Sequence, residues 1–180
     1  MRLDEIILPL TSPETEWIDG REVQKVSPTR DHGRVQALLA GALGDWAEDR
    51  GEIATEWRFR VAPPDGPRRP LVPDIAYVSY ERLRGLTREA IQAPAFAPTI
   101  VIEVLSPGDR PADVASKVDV YLRSGCELVL IVDPECRSIT AHDGASARIY
   151  ERDVTFTHPI MSGFELPLQP FFSRALDVRS

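Results

Sequence analysis

Thr99-Ile100-Val101-Ile102-Glu103-Val104-Leu105 is apolar on both faces except at Glu103, the pattern of a strand buried on both sides in a covered sheet. After Ser106-Pro107-Gly108 the spacing changes. Val114, Val118, Tyr121 and Leu122 give a helix from about Ala112 to Ser124 one buried face, and Gly125 ends it. Glu127 to Val132 is again apolar, closed by Asp133-Pro134. Strand, helix, strand in that order is a crossover unit, and it predicts two parallel central strands.

Upstream, Leu71 to Ser79 reads as a strand, followed by a charged, partly helical excursion from Tyr80 to about Gln92. Glu52 to Val61 alternates, with Ile53, Trp57, Phe59 and Val61 on one face and Glu56, Arg58 and Arg60 on the other. Between them the proline-rich stretch Pro63 to Pro70 is a loop. Val35, Leu38, Leu39, Ala42, Leu43 and Trp46 make one apolar stripe, so a helix runs from a cap at Asp31 to about Arg50, with Gly51 as its stop. Two short runs between Thr15 and Val26 flank Asp19-Gly20, a hairpin turn pair. Downstream, Arg137 to His142 and Ala147 to Tyr150 form a second hairpin around Asp143-Gly144, and the remainder reads as edge strands and a terminal extension. The expectation is a loose segment over 1–14 and a single α/β domain over 15–180, a length that buries about 70% of its unfolded surface.

Composition narrows the function classes. No apolar run reaches the ~20 residues a membrane helix needs, so no membrane partner is expected. The start, Met1-Arg2-Leu3-Asp4-Glu5, lacks the basic end and apolar stretch of a secretory signal. A cytoplasmic location follows, in which Cys126 and Cys136 are free thiols. No cysteine–histidine cluster suggests zinc. The net charge of −7 argues against nucleic acid, whose binders are commonly basic; a local basic face would be needed to offset it.

The chemistry rests on charges set among apolar residues. A buried, unpaired carboxylate is costly, yet Glu103 lies in the most apolar strand and Asp74 follows Pro73 inside another. Glu56 lies on the alternating strand, on a face that alternation leaves undecided. Two or three carboxylates on neighbouring strands converge readily on magnesium, a hard cation held by one or two carboxylates and its own waters. Lys117 stands beside the apolar stripe of its helix, where its stem can lie along the sheet and bring an ammonium near those carboxylates.

Val72-Pro73-Asp74-Ile75-Ala76, then Ile102-Glu103-Val104-Leu105-Ser106-Pro107, Lys117 with Tyr121, Gly125, and Val132-Asp133-Pro134 together resemble the Uma-two family. Its members are largely assigned as restriction endonucleases of the PD-(D/E)XK superfamily. The resemblance spans about Asp19 to Tyr150; each motif alone is common, and their order and spacing carry it. It implies a restriction-endonuclease-like fold, a mixed central sheet flanked by helices. It also implies Asp74 and Glu103 as metal ligands, the Val104 carbonyl as a third, and Glu56 as an additional acidic residue. The lysine expected two residues after the glutamate is replaced by Leu105, and Lys117 resembles the migrated form of that lysine seen elsewhere in the superfamily. Magnesium or manganese as cofactor, DNA as partner and a homodimer are further implications.

Plainer readings stand beside these. Glu103 could pair with Arg58 or Arg60, Asp74 could be a residue that opens a strand after proline, Lys117 could pair with Asp113 along its helix, and Glu56 could serve Arg58. His32 reads as a capping or surface histidine, and His142 and His158 as surface. Arg58, Arg60, Arg68, Arg69, Arg82, Arg84 and Arg88 are either a phosphate-binding face or solvated surface. Three functions follow in order: a metal-dependent DNA endonuclease using Asp74, Glu103, Lys117 and Glu56; a catalytically silent interaction module on the same fold; and a small-molecule hydrolase or nucleotide-binding protein, which lacks a phosphate-cradling glycine loop or an equipped nucleophile.

Overall fold

The structure, a computed structural model, describes residues 4–178. Its centre is a six-stranded mixed sheet in the order β10-β9-β8-β7-β6-β3. These strands are β3 (Gly51–Thr55), β6 (Ile75–Ser79), β7 (Ile100–Val104), β8 (Leu128–Asp133), β9 (Ser138–His142) and β10 (Ala147–Glu151). β7 and β8 are parallel and joined through α4 (Pro111–Arg123); every other neighbouring pair is antiparallel. Short antiparallel pairs lie outside this sheet: β1 (Thr15–Ile18) with β2 (Arg21–Gln24), β4 (Phe59–Val61) with β5 (Arg69–Leu71), and β11 (Thr155–Phe156) with β12 (Leu166–Pro167). Short helices α2 (Tyr80–Leu83) and α3 (Arg88–Gln92) fill the excursion before β7.

Because successive side chains in a strand point to opposite faces, β7 divides the molecule. Ile100, Ile102 and Val104 join one core with Val35, Leu39 and Leu43 of α1 (Arg30–Ala47). Val101 joins the other, with Val118 and Tyr121 of α4. Glu103 alternates with Val104 and so faces the α4 side. β6 repeats the division: Ile75 and Tyr77 go with α1, Ala76 and Val78 with α4.

Five expectations change. The alternating stretch 52–61 is two strands rather than one, broken at Glu56, whose φ of 51° is left-handed. β3 pairs with β6 in the main sheet, while β4 turns away to pair with β5, so Ile53 and Phe59 pack in different cores. The stretch 71–79 is likewise split, and Asp74 occupies the break just before β6. The cap of α1 is Thr29, whose hydroxyl accepts from the His32 N–H at 3.3 Å, one turn before the helix's apolar stripe. Gly51 opens β3 instead of stopping α1: a Cβ there would sit 2.2 Å from the Val78 carbonyl oxygen. Finally, the terminal extension contains a helix, α5 (Leu168–Leu176), whose Leu168, Phe171, Phe172 and Ala175 are buried in the α1-side core.

Met1 to Leu3 of the segment expected to be loose lie outside the described residues. In the rest of it, Glu5 bridges Arg68 and Leu8 is buried. No helix among the described residues is long and apolar enough to cross a membrane.

Candidate active site

The antiparallel register of β6 and β7 sets Ile75 opposite Ile102, and one further step sets Asp74 opposite Glu103, on the α4 side. Both carboxylates are buried. Lys117, buried on α4, brings its Nζ to 2.6 Å from Glu103 Oε1 and 3.1 Å from Glu16 Oε2. The three residues Asp74, Glu103 and Lys117 therefore share one locus. The contact between Lys117 and Glu103 is one of charge; its angle is not that of a hydrogen bond, and Glu103 Oε1 has no donor.

The plainer pairings are made by other residues. Arg58 takes Glu14 and Arg60 takes Glu5, leaving Glu103 to Lys117. Asp113 takes Arg21, at 2.6 Å, rather than Lys117. Glu56 takes Lys25 at 2.8 Å and Gln36 at 3.0 Å rather than Arg58. Of the other arginines, Arg82 reaches Glu127 and the carbonyls of Ala97, Pro98 and Gly125, so it ties loops together at a distance from the carboxylates in sequence and structure.

Four partners of this site are not expected there from the sequence. Glu16 is on β1 and buried. Its Oε1 accepts from the Val72 N–H at 2.7 Å, and its Oε2 from Lys117. Its one sequence signal is that it shares a strand face with Ile18, which is buried in the α4-side core. Lys25 follows β2 and reaches Asp74 Oδ1 at 2.7 Å, Glu56 Oε2 at 2.8 Å and the Val72 carbonyl at 3.0 Å. His32, expected at the surface, is buried, with Nε2 3.2 Å from Asp74 Oδ2. Gln36, one turn later, donates to Glu56 Oε1 and to the Asp74 carbonyl at 2.8 Å. His32 stands three residues before Val35 and seven before Leu39, on the line of the apolar stripe.

The Asp74 carboxylate is thus held from three sides. Oδ2 accepts the Val104 N–H at 2.7 Å and faces His32; Oδ1 accepts Lys25. Burial alone would raise its pKa, but the His32 hydrogen bond and the charges of Lys25 and Lys117 outweigh it and hold the carboxyl well below the usual range. Since an ionised carboxylate only accepts, the His32 Nε2 carries the proton. Glu103 moves the other way. Burial raises its pKa, Lys117 opposes, and the negative charges of Asp74 and Glu16 add to the rise, which reaches about 8. Burial would lower the pKa of Lys117, but Glu103 and Glu16 reverse that, and its ammonium stays charged.

The cleft beside these groups has a volume of about 220 Å³ and is lined by Glu16, Arg21, Lys25, Asp74, Glu103 and Lys117 among others. The donors fit magnesium in kind: two hard carboxyl groups, Asp74 and Glu103, side by side where β6 meets β7. Among the described residues no three acidic, imidazole or thiol groups gather as a complete cage, so water and substrate oxygens would supply the rest.

Comparison with known proteins agrees with this fold. The crystal structure of a protein from Anabaena variabilis ATCC 29413, described as a "putative nuclease", superposes with a TM-score of 0.83. It is 22% identical, over 94% of this chain and 95% of that one, a likeness that shows the shared architecture. Among curated proteins no sequence matches. The family described as "Putative restriction endonuclease", Uma2, matches residues 5–171, nearly the whole chain, and the protein belongs to that family.

Proposed function

We propose that the protein is a divalent-metal-dependent endonuclease that hydrolyses phosphodiester bonds in DNA. The observation that carries this reading is the meeting of Asp74 and Glu103 on adjacent strands with the Lys117 ammonium at the same point. Family membership supports nuclease chemistry. Asp74 and Glu103 would hold the ion, with the Val104 carbonyl as a further ligand. Bound there, a magnesium or manganese ion would activate water and offset charge on the phosphate.

The protein's own groups do the rest. Val104 N–H and His32 fix the Asp74 carboxylate, so that its orientation is set before any ligand arrives. Lys117 uses one hydrogen on Glu16 and can direct another at a phosphate oxygen or a water in the cleft. It thereby supplies from α4 the amine that Leu105 does not. Glu56, at the rim, helps to orient Lys25. Part of the negative charge is local: the carboxyl groups of Glu16, Glu56, Asp74 and Glu103 outnumber the two lysines they face, so a divalent cation at the site would ease the approach of a polyanion.

The test is nicking of supercoiled plasmid with magnesium or manganese, comparing the native protein with Asp74→Asn, Glu103→Gln and Lys117→Met. Cleavage by the native protein that each variant loses supports the reading; equal cleavage by native and doubly substituted protein overturns it. A second reading, a catalytically silent module on the nuclease fold, is favoured by Leu105 and by the pairing of site carboxylates with lysines. It requires the native protein to bind no divalent metal.

A further inference from the structure

We infer that Lys25 is a built-in competitor for the metal: its ammonium holds Asp74 Oδ1, an oxygen of a proposed metal ligand, and must leave it when a divalent ion binds. This inference rests on the proposed metal-ligand role of Asp74. Three oxygens surround Lys25 Nζ, from Asp74, Glu56 and the Val72 carbonyl, at 2.7, 2.8 and 3.0 Å. One of them, Asp74 Oδ1, is a hard carboxylate oxygen of the kind magnesium takes, and the ammonium and the ion compete for it. An ammonium has three hydrogens, and these three oxygens use all of them.

The surroundings are built to hold this arrangement. Glu56 is in the left-handed region, at φ 51°, a strained conformation for a non-glycine residue. Gln36 bridges Glu56 Oε1 and the Asp74 carbonyl, and the Glu56 N–H donates to that same carbonyl at 3.2 Å. Glu56 is thus bent back toward Asp74, and Lys25 closes the gap between them. Lys25 itself is in the stretch after β2, its N–H bonded to the Glu14 carbonyl, and the next residue, Val26, is 63% exposed. Its long stem can swing out into the cleft it lines without disturbing the sheet. A singly charged group holding a site for a doubly charged one weakens metal binding and balances the buried Asp74 until the ion arrives.

Two measurements test this. Manganese binding is titrated calorimetrically for the native protein, Lys25→Met, and Lys25→Met combined with Asp74→Asn, with circular dichroism to check folding. The expected result is at least a tenfold tighter manganese affinity in Lys25→Met, lost in the double variant. Equal or weaker binding in folded Lys25→Met overturns the inference while native binding leaves the metal site standing. Absence of binding in both native protein and Lys25→Met overturns the metal site and the inference with it. The native protein supplies the second readout, which is independent of whether the variant folds. Lysine acylation followed by mass spectrometry is compared with and without magnesium. Lys25 should become several-fold more reactive with magnesium while Lys117 stays protected. Unchanged Lys25 reactivity at saturating magnesium overturns displacement.

Discussion

Glu16 on β1 and Lys117 on α4 are 101 residues apart in the chain and meet at 3.1 Å, both buried. The same lysine contacts Glu103 at 2.6 Å, so one ammonium joins carboxyl groups from the N-terminal hairpin and the central sheet. Removing one member of such a buried group leaves charge unpaired, and that usually costs more than the group itself contributes.

Lys117→Met should therefore lower stability by about 3 kcal/mol or more. A loss of that size in a chain of this length moves the melting temperature down by roughly 6–12 °C. Combining it with Glu103→Gln should recover part of the loss, and a double-mutant cycle by thermal denaturation reads the coupling. Strict additivity would mean that the two side chains do not interact.

Stability should depend on pH through Glu103. Its folded pKa is raised from the usual 4.5 to about 8. Between these values the folded protein holds the proton that the unfolded chain has released. The contribution is fully present below about pH 4.5 and is lost as pH rises toward 8, at up to ~1.4 kcal/mol per pH unit. Asp74, depressed, contributes stability above the usual carboxylate range and loses it only in acid. Denaturant melts from pH 5 to 8 should show the decline, and Glu103→Gln should flatten it.

Cleavage should depend on the same two acids. Asp74→Asn keeps a carbonyl oxygen for the Val104 N–H and so tests charge more than shape. A loss of about 10²–10³-fold or more in the nicking rate is expected for Asp74→Asn and for Glu103→Gln. Native rates in either folded variant would remove that residue from the site.

Away from the site, Gly51→Ala probes a backbone contact. The added Cβ meets the Val78 carbonyl at 2.2 Å and Ser79 Cα at 2.9 Å, and neither backbone can move without disturbing the pairing of β3 with β6. A loss of roughly 1–3 kcal/mol is expected, measured by urea unfolding. Phe172→Ala, in the fully buried centre of α5, should cost about 3–5 kcal/mol. A small effect there would detach α5 from the core.

The central crossover was legible because Ile100 to Val104 and Leu128 to Val132 are apolar on both faces, and burial on both sides leaves few alternatives. The positions of Asp74, Glu103 and Lys117 were legible for the converse reason: each is a charge where its neighbours are apolar. Glu56 broke the reading of its strand because alternation continues in the residue types through a left-handed turn that residue types do not reveal. Glu16, Lys25, His32 and Gln36 were not legible as partners, since each meets the site only by long-range docking: of β1 on β5, and of α1 on the sheet. The helix α5 was missed although Leu168, Phe171, Phe172 and Ala175 repeat at helical spacing; a single short period after the hairpin reads as edge strands and an extension.

The wide sequence separation of Glu16 and Lys117 also has a consequence on the ribosome. Translation at ~5–20 residues per second brings Lys117 out roughly 5–20 s after Glu16. Over that interval the first hairpin exists without its cation, and its glutamate must stay in water. The buried pairing of the first hairpin with α4 therefore forms only after α4 has been made, so a hairpin that precedes α4 in the chain completes its packing after it.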